Sequence, residues 1–209
     1  MVMTGSMEPR AVGWLSSAGA ANRRCHGSLD TVTDTERRAL RPIGTSAHEV
    51  AVRTGALLSE LLAVPGILLF QGLAPGSGEM PHIPHAVCAG RRIVLVDSVA
   101  WPPGRYTATT AGRIHCDGGY IGQSVGPLMA AVRCWQQALG PAHDVSALIV
   151  VHASGAGRVI LPTAALPGPA WAGAAHVVRH LRTFLPWAGP PASAAAVAAL
   201  LAATTDPGQ

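Results

Sequence analysis

Five residues whose types could hold a borderline-soft metal fall in two short stretches: His82, His85 and Cys88, then His115 and Cys116. Imidazole and thiolate are the ordinary ligands of zinc, so these residues point to a zinc-stabilised site if they lie in neighbouring strands. The spacing works against that geometry. On a regular strand His82 and His85 face opposite ways, and both reach one ion only if Pro84 kinks or ends the strand. The competing reading is buried cysteine beside exposed histidine. Composition excludes other chemistry, because all fifteen residues of the Lys+Arg count are arginine. Schiff-base catalysis and the phosphate-binding loop both need a lysine ε-amine. The glycine-rich stretches 72–78 and Ser154-Gly155-Ala156-Gly157 therefore read as hairpin or surface loops. Ser154, between Ala153 and Gly155, lacks the Gly-x-Ser-x-Gly elbow of a serine hydrolase.

The elements that must position such residues follow from periodicity. The 209 residues, 49% hydrophobic and 12% charged, suit one domain with tails. Residues 1–40 show no sustained apolar period and read as a mobile arm. Thr45 or Ser46 caps a helix carrying Val50, Leu57, Leu58, Leu61 and Leu62, and Pro65-Gly66 stops it. Strands are predicted at 67–70, 84–88, 93–97, 106–110 and 113–116, separated by turn residues as in a meander. Val125, Leu128, Met129, Val132, Trp135 and Leu139 recur at helical spacing over 124–139, ended by Gly140-Pro141. A central strand at 146–151, a shorter partner at 158–161 and an amphipathic helix over 170–185 complete the domain, placed at 41–188. The tail, 189–209, holds an Ala-rich helical segment at 192–203 that lacks a strong stripe and is expected to dock weakly.

The order of these elements carries a resemblance. Residues 44–49 open the first helix, Val94-Leu95-Val96-Asp97-Ser98-Val99-Ala100-Trp101 form a central strand end, and Gly126-Pro127-Leu128 open the next helix. In this the chain resembles the nuclease-related domain family of the restriction-endonuclease-like superfamily, over residues 44–186. Members carry a glutamate in the first helix, an Asp-His pair on the second strand, an acid-x-lysine-x-tryptophan segment on the third, and an Asn-Pro-Leu-x-Gln helix start. Glu49, His85, Asp97, Trp101 and Pro127-Leu128 match that pattern. Pro84 stands where the metal-binding aspartate belongs, Val99 replaces the lysine, Gly126 the asparagine and Ala130 the glutamine. The matches are mainly framework residues, and the departures are mainly chemical ones.

The resemblance implies a single α/β domain, a mixed β-sheet flanked by helices with a restriction-endonuclease-like core. It also implies a pseudoenzyme, since a lone aspartate is a poor magnesium site and valine has no charge or proton to offer the transition state. Asp97 is then either the remnant of a metal site or a strand-end acid paired with an arginine. Glu49 is either a metal ligand or an early-turn acid favoured by the helix dipole. The retained role is expected to be binding, to nucleic acid or to a protein partner. The rival is an active magnesium- or manganese-dependent nuclease with relocated carboxylates, Glu49, Glu79 and Asp97, and with Arg92 or Arg105 in place of the lysine. A zinc-stabilised structural protein is the third reading, and in the preferred one no cofactor is needed.

Net charge of +4 permits weak, salt-sensitive nucleic-acid association through Arg91, Arg92 and Arg105, although the arginines form no long run. Trp135, Trp171 and Trp187 read as packing residues sooner than as a base-stacking platform. The apolar run over 57–70 is interrupted by Ser59, Glu60, Pro65 and Gly66, short of the ~20 residues that span a bilayer, so no membrane partner is expected. Four cysteines without CxxC spacing suit reduced thiols in the cytoplasm.

Overall fold

In the strand Arg92–Trp101 every residue after Arg92 is buried, and its apolar run, broken only by Asp97-Ser98, suits a strand covered on both faces. The computed structural model describes residues 24–33, 40–74, 81–162, 168–185 and 190–204. Arg92–Trp101 is β4 among β1 (Cys25–Gly27), β2 (Ile67–Leu73), β3 (Ile83–Ala89), β5 (Gly104–Ala108), β6 (Arg113–Cys116), β7 (Gly119–Ser124), β8 (Asp144–Ala153), β9 (Val159–Ile160) and β10 (Ala170–Gly173). The helices are α1 (Ala47–Leu58), α2 (Gly126–Leu139), α3 (Val177–Phe184) and α4 (Ala194–Ala203).

A six-stranded mixed sheet runs β1-β2-β3-β4-β8-β10. Strands β2, β3 and β4 alternate in direction, while β8 lies parallel to β4 along its whole length, from Arg92↔Asp144 to Trp101↔Ala153. A second sheet, β7-β6-β5-β9, follows the Pro102-Pro103 step at the end of β4. Period-two alternation sorts the core into two layers. Val94, Val96, Leu148 and Val150 meet Leu58 of α1 and Val177 and Leu181 of α3. Leu95, Val99, Ile149 and Val151 meet Leu128, Val132 and Trp135 of α2, Ala196 and Leu200 of α4, and Tyr106 and Ile114 of the second sheet. The protein is a single α/β domain whose mixed sheet is flanked by helices, as the element order predicts.

Local chemistry accounts for the first helix. The Ser46 hydroxyl accepts the Glu49 N–H at 3.1 Å, satisfying one of the free donors at the helix start. The regular helix ends at Leu58, a 3-10 turn (Ser59–Ala63) carries Leu61 and Leu62 into the core, and Gly66 at φ +84° turns the chain into β2.

Three expectations differ from the structure. The arm placed at 1–40 joins the sheet within its described part: β1 pairs in parallel with β2, Leu69 N–H donates to Arg24 O at 2.9 Å, and Leu29 and Val32 are buried against Ala47 and Ala51. A three-residue strand is too short to show periodicity, and its stability comes from the partner edge. The helix predicted over 170–185 begins as strand β10, because Ala170–Gly173 align with Leu148 to Val151 of β8 and tertiary pairing overrides helical propensity. The Ala-rich segment is part of the domain. Its ends are tied by Ser193 N–H to Gly90 O at 2.7 Å and by Ala74 N–H to Ala203 O at 2.8 Å. Ala196 and Leu200 are fully buried. Small side chains let this helix sit close to the sheet without an amphipathic stripe. Leu200→Ala should therefore lower unfolding free energy by about 2–5 kcal/mol in a urea titration. A loss within about 0.5 kcal/mol would mean the helix contributes little.

Candidate functional site

Asp97 and Trp101 lie on β4 itself, and His85 lies on the neighbouring β3. Val96 pairs with His85 of β3, and one further step in that register sets Pro84 across from Asp97. Pro84 has no N–H to donate at that position. Alternation puts Asp97 on the same face as Leu95, Val99 and Trp101, which lie in the α2 and α4 layer. Asp97 is fully buried, and its Oδ1 accepts the Ser98 N–H at 2.8 Å. Trp101 closes the strand end by stacking on Tyr106, with ring centroids 4.1 Å apart and planes at 12°, and by packing on Trp171 at 5.6 Å. The Tyr106 hydroxyl donates to Pro102 O at 3.0 Å, which fixes the stack. The face that would hold a hydrated cation is thus an apolar and aromatic interior.

The other candidate residues lie elsewhere. Glu49 is half-exposed on α1, which covers the opposite face of β4. It pairs with Thr45 and Arg53, and these partners, the Thr45 hydroxyl first, hold its carboxyl below the usual range. Glu79 lies outside the described residues. Arg91 lies in the β3–β4 turn and Arg92 begins β4, where its Nη1 donates to Phe184 O and its Nε stands 4.0 Å from Asp144. Arg105 is on β5, beyond the other end of β4. A ten-residue strand is roughly 33 Å long, so these three arginines form no single patch. Arg92, five residues before Asp97 on β4, stands about 16 Å away along the strand and does not occupy the lysine's place.

The histidines and cysteines also separate. His85 faces α1, since a Cβ at Gly55 would lie 3.0 Å from His85 Nε2. Cys88 faces the other layer, where burial pushes its thiol up to about 11. His115 and Cys116 are in the second sheet. Among the described residues, three or more His, Cys, Asp or Glu side chains nowhere gather as a metal would require. Among the same residues, no helix is long and apolar enough to cross a membrane.

A polar pair that sequence reasoning missed joins helix to sheet. Thr54 of α1 and His152 of β8, 98 positions apart, are both buried with Thr54 Oγ1 and His152 Nε2 at 2.8 Å. Thr54 continues the buried face of α1 after Val50 and Ala51, and a histidine near the end of an apolar strand was the available signal. Burial, and secondarily the Arg53 charge, lower the His152 pKa. The pair is a buried contact that ties helix α1 to strand β8.

The native state excludes a proton that the unfolded chain takes up below about 6.5. The His152 contribution to stability is therefore complete above that value and is lost as pH falls toward the lower folded pKa. His180 shifts in the same direction through burial. Urea midpoints should fall between pH 7.5 and 5.5, and less steeply in His152→Gln than in the parent. Equal pH dependence in the two proteins would rule His152 out as the source. The chain matches no family model, no curated protein and no solved structure.

Proposed function

We propose that this chain has a nuclease-related-like fold without phosphodiester chemistry and that it acts by binding nucleic acid. The observation that carries the first part is the shared, closed face of Pro84, Asp97 and Val99 beneath the Trp101–Tyr106–Trp171 cluster. The order α1, β2, β3, β4, then α2 and β8 after the three intervening strands β5, β6 and β7, supports the resemblance, as does the placement of Pro84 and Val99 around Asp97. Hydrolysis on that pattern needs carboxylates, water and a cation at one point. Here one carboxylate is enclosed, and proline and valine stand where its partners belong. Losing a single general acid or base costs ~10²–10⁴ in rate, and two chemical groups are absent at once.

The second part rests on charge. Six arginines stand against two acids between Ser98 and Thr205, so most of the net positive charge is carried by that half of the chain. Arginine held by phosphate releases counterions, which makes such binding weak and salt-sensitive when contacts are few.

Purified protein should leave single- and double-stranded DNA and RNA intact with magnesium or manganese. Cleavage that disappears in Asp97→Asn would instead establish an active metal-dependent nuclease. Metal analysis of the native protein checks the zinc reading, since stoichiometric zinc would make a structural metal part of the fold.

A further inference from the structure

The second sheet has an inner face and an outer face of opposite character. Tyr106 and Ile114 are buried in the core, with Ala108, Cys116 and Ile121 packed behind them. The alternate positions Arg105, Thr107, Arg113 and Tyr120 are exposed, with His115 half-buried among them. Register sets Thr107, His115 and Tyr120 in one row across β5, β6 and β7. Tyr120 is 55% exposed, and its ring stands 5.7 Å from that of His115 at 48°. Among the described residues nothing lies within 4 Å of a Cβ built at Gly118 or Gly122, so the space beside the tyrosine is open. At the far edge, Arg158 O accepts the Gly104 N–H at 3.2 Å, which brings the exposed Arg158 alongside Arg105. Asp117 is the sole acid between Ser98 and His143, and its Oδ1 is already occupied by the Arg105 N–H at 3.0 Å.

We infer that this outer face binds a single-stranded polynucleotide, with one base stacked on Tyr120 and the backbone phosphates on Arg105, Arg113 and Arg158. The inference rests on the nucleic-acid reading above and assigns its surface and strand state. An exposed ring with an open side is a platform for any base, because every base has a π-face. A duplex keeps its bases stacked inside and offers that ring nothing, whereas a splayed single strand presents both base and phosphate. Four strands about 4.8 Å apart make a face roughly 15 Å across, enough for two or three nucleotides on a sheet surface. The guanidinium groups on this sheet match the phosphates in sign and in forked donor geometry.

Anisotropy of a fluorescein-labelled dT 15-mer, titrated with the full chain at several salt concentrations, tests this. With three phosphate contacts the slope of log affinity against log salt should be about −2, since single strands give about −0.7 per contact. Tyr120→Ala should weaken binding about tenfold or more, with Tyr120→Phe restoring it. Arg105→Ala and Arg158→Ala should each reduce the slope by about 0.7, and Arg179→Ala, on α3 at the opposite face of the six-stranded sheet, should change neither quantity. All these side chains are exposed, and thermal melts confirm that each variant is folded. Binding that ignores the Tyr120 and arginine substitutions would overturn this surface while leaving the nucleic-acid reading intact. A duplex of equal length bound as tightly, or polyglutamate competing as well as unlabelled dT, would overturn the single-strand assignment. No binding of any polynucleotide at low salt would overturn both.

Discussion

The parallel pairing of β4 with β8 is the constraint on which the rest depends. Two parallel neighbours cannot be joined by a tight turn, so the chain must leave the end of β4, cross the sheet and re-enter at the start of β8. Residues 102–143 make that crossing, and they contain most of the second sheet and all of α2. The pairing thus places a small sheet at one end of β4 and a helix over one face. It also buries β4 on both sides and both faces, and α1, α3 and α4 complete the cover.

That burial decides what the centre of the molecule can do. A hydrolytic cation needs an open, wet cluster of carboxylates, and Asp97 sits instead between apolar strand neighbours, with Trp101 stacked on Tyr106 at the strand end. Its Oδ1 serves a neighbouring backbone N–H, a structural task. Thr54 and His152 do similar work on the other face, where two buried polar groups satisfy one another and fix α1 against β8. Thr54, Asp97 and His152 are all buried, and their hydrogen bonds hold elements in place.

The same connection has the opposite effect on the second sheet. Its inner residues complete the aromatic core, and among the described residues its outer ones meet no further layer. The Asp117-Gly118 turn, with φ +48° and +88°, closes the β6–β7 hairpin and carries Tyr120 onto the open side. A domain whose central sheet is buried on both faces therefore still has an outer surface that carries arginines and an exposed aromatic ring.

Sequence by itself determined the local elements with strong periodicity or clear punctuation: α1 from its cap and buried face, α2 from its helical stripe, and β4 and β8 from their apolar runs. It also determined that no lysine chemistry exists here, since all fifteen basic residues of the Lys+Arg count are arginine. Tertiary structure decided the rest, because the deciding contacts span long separations. Strand β1 exists by pairing with β2, β10 by pairing with β8, and α4 by docking between two backbone ties, none of which leaves a local period. The Thr54–His152 contact and the division of Arg91 and Arg92 from Arg105 follow the same rule. Residue type and spacing specify what a segment can form, whereas the burial of its side chains and the faces they share are set by strands brought together from distant parts of the chain.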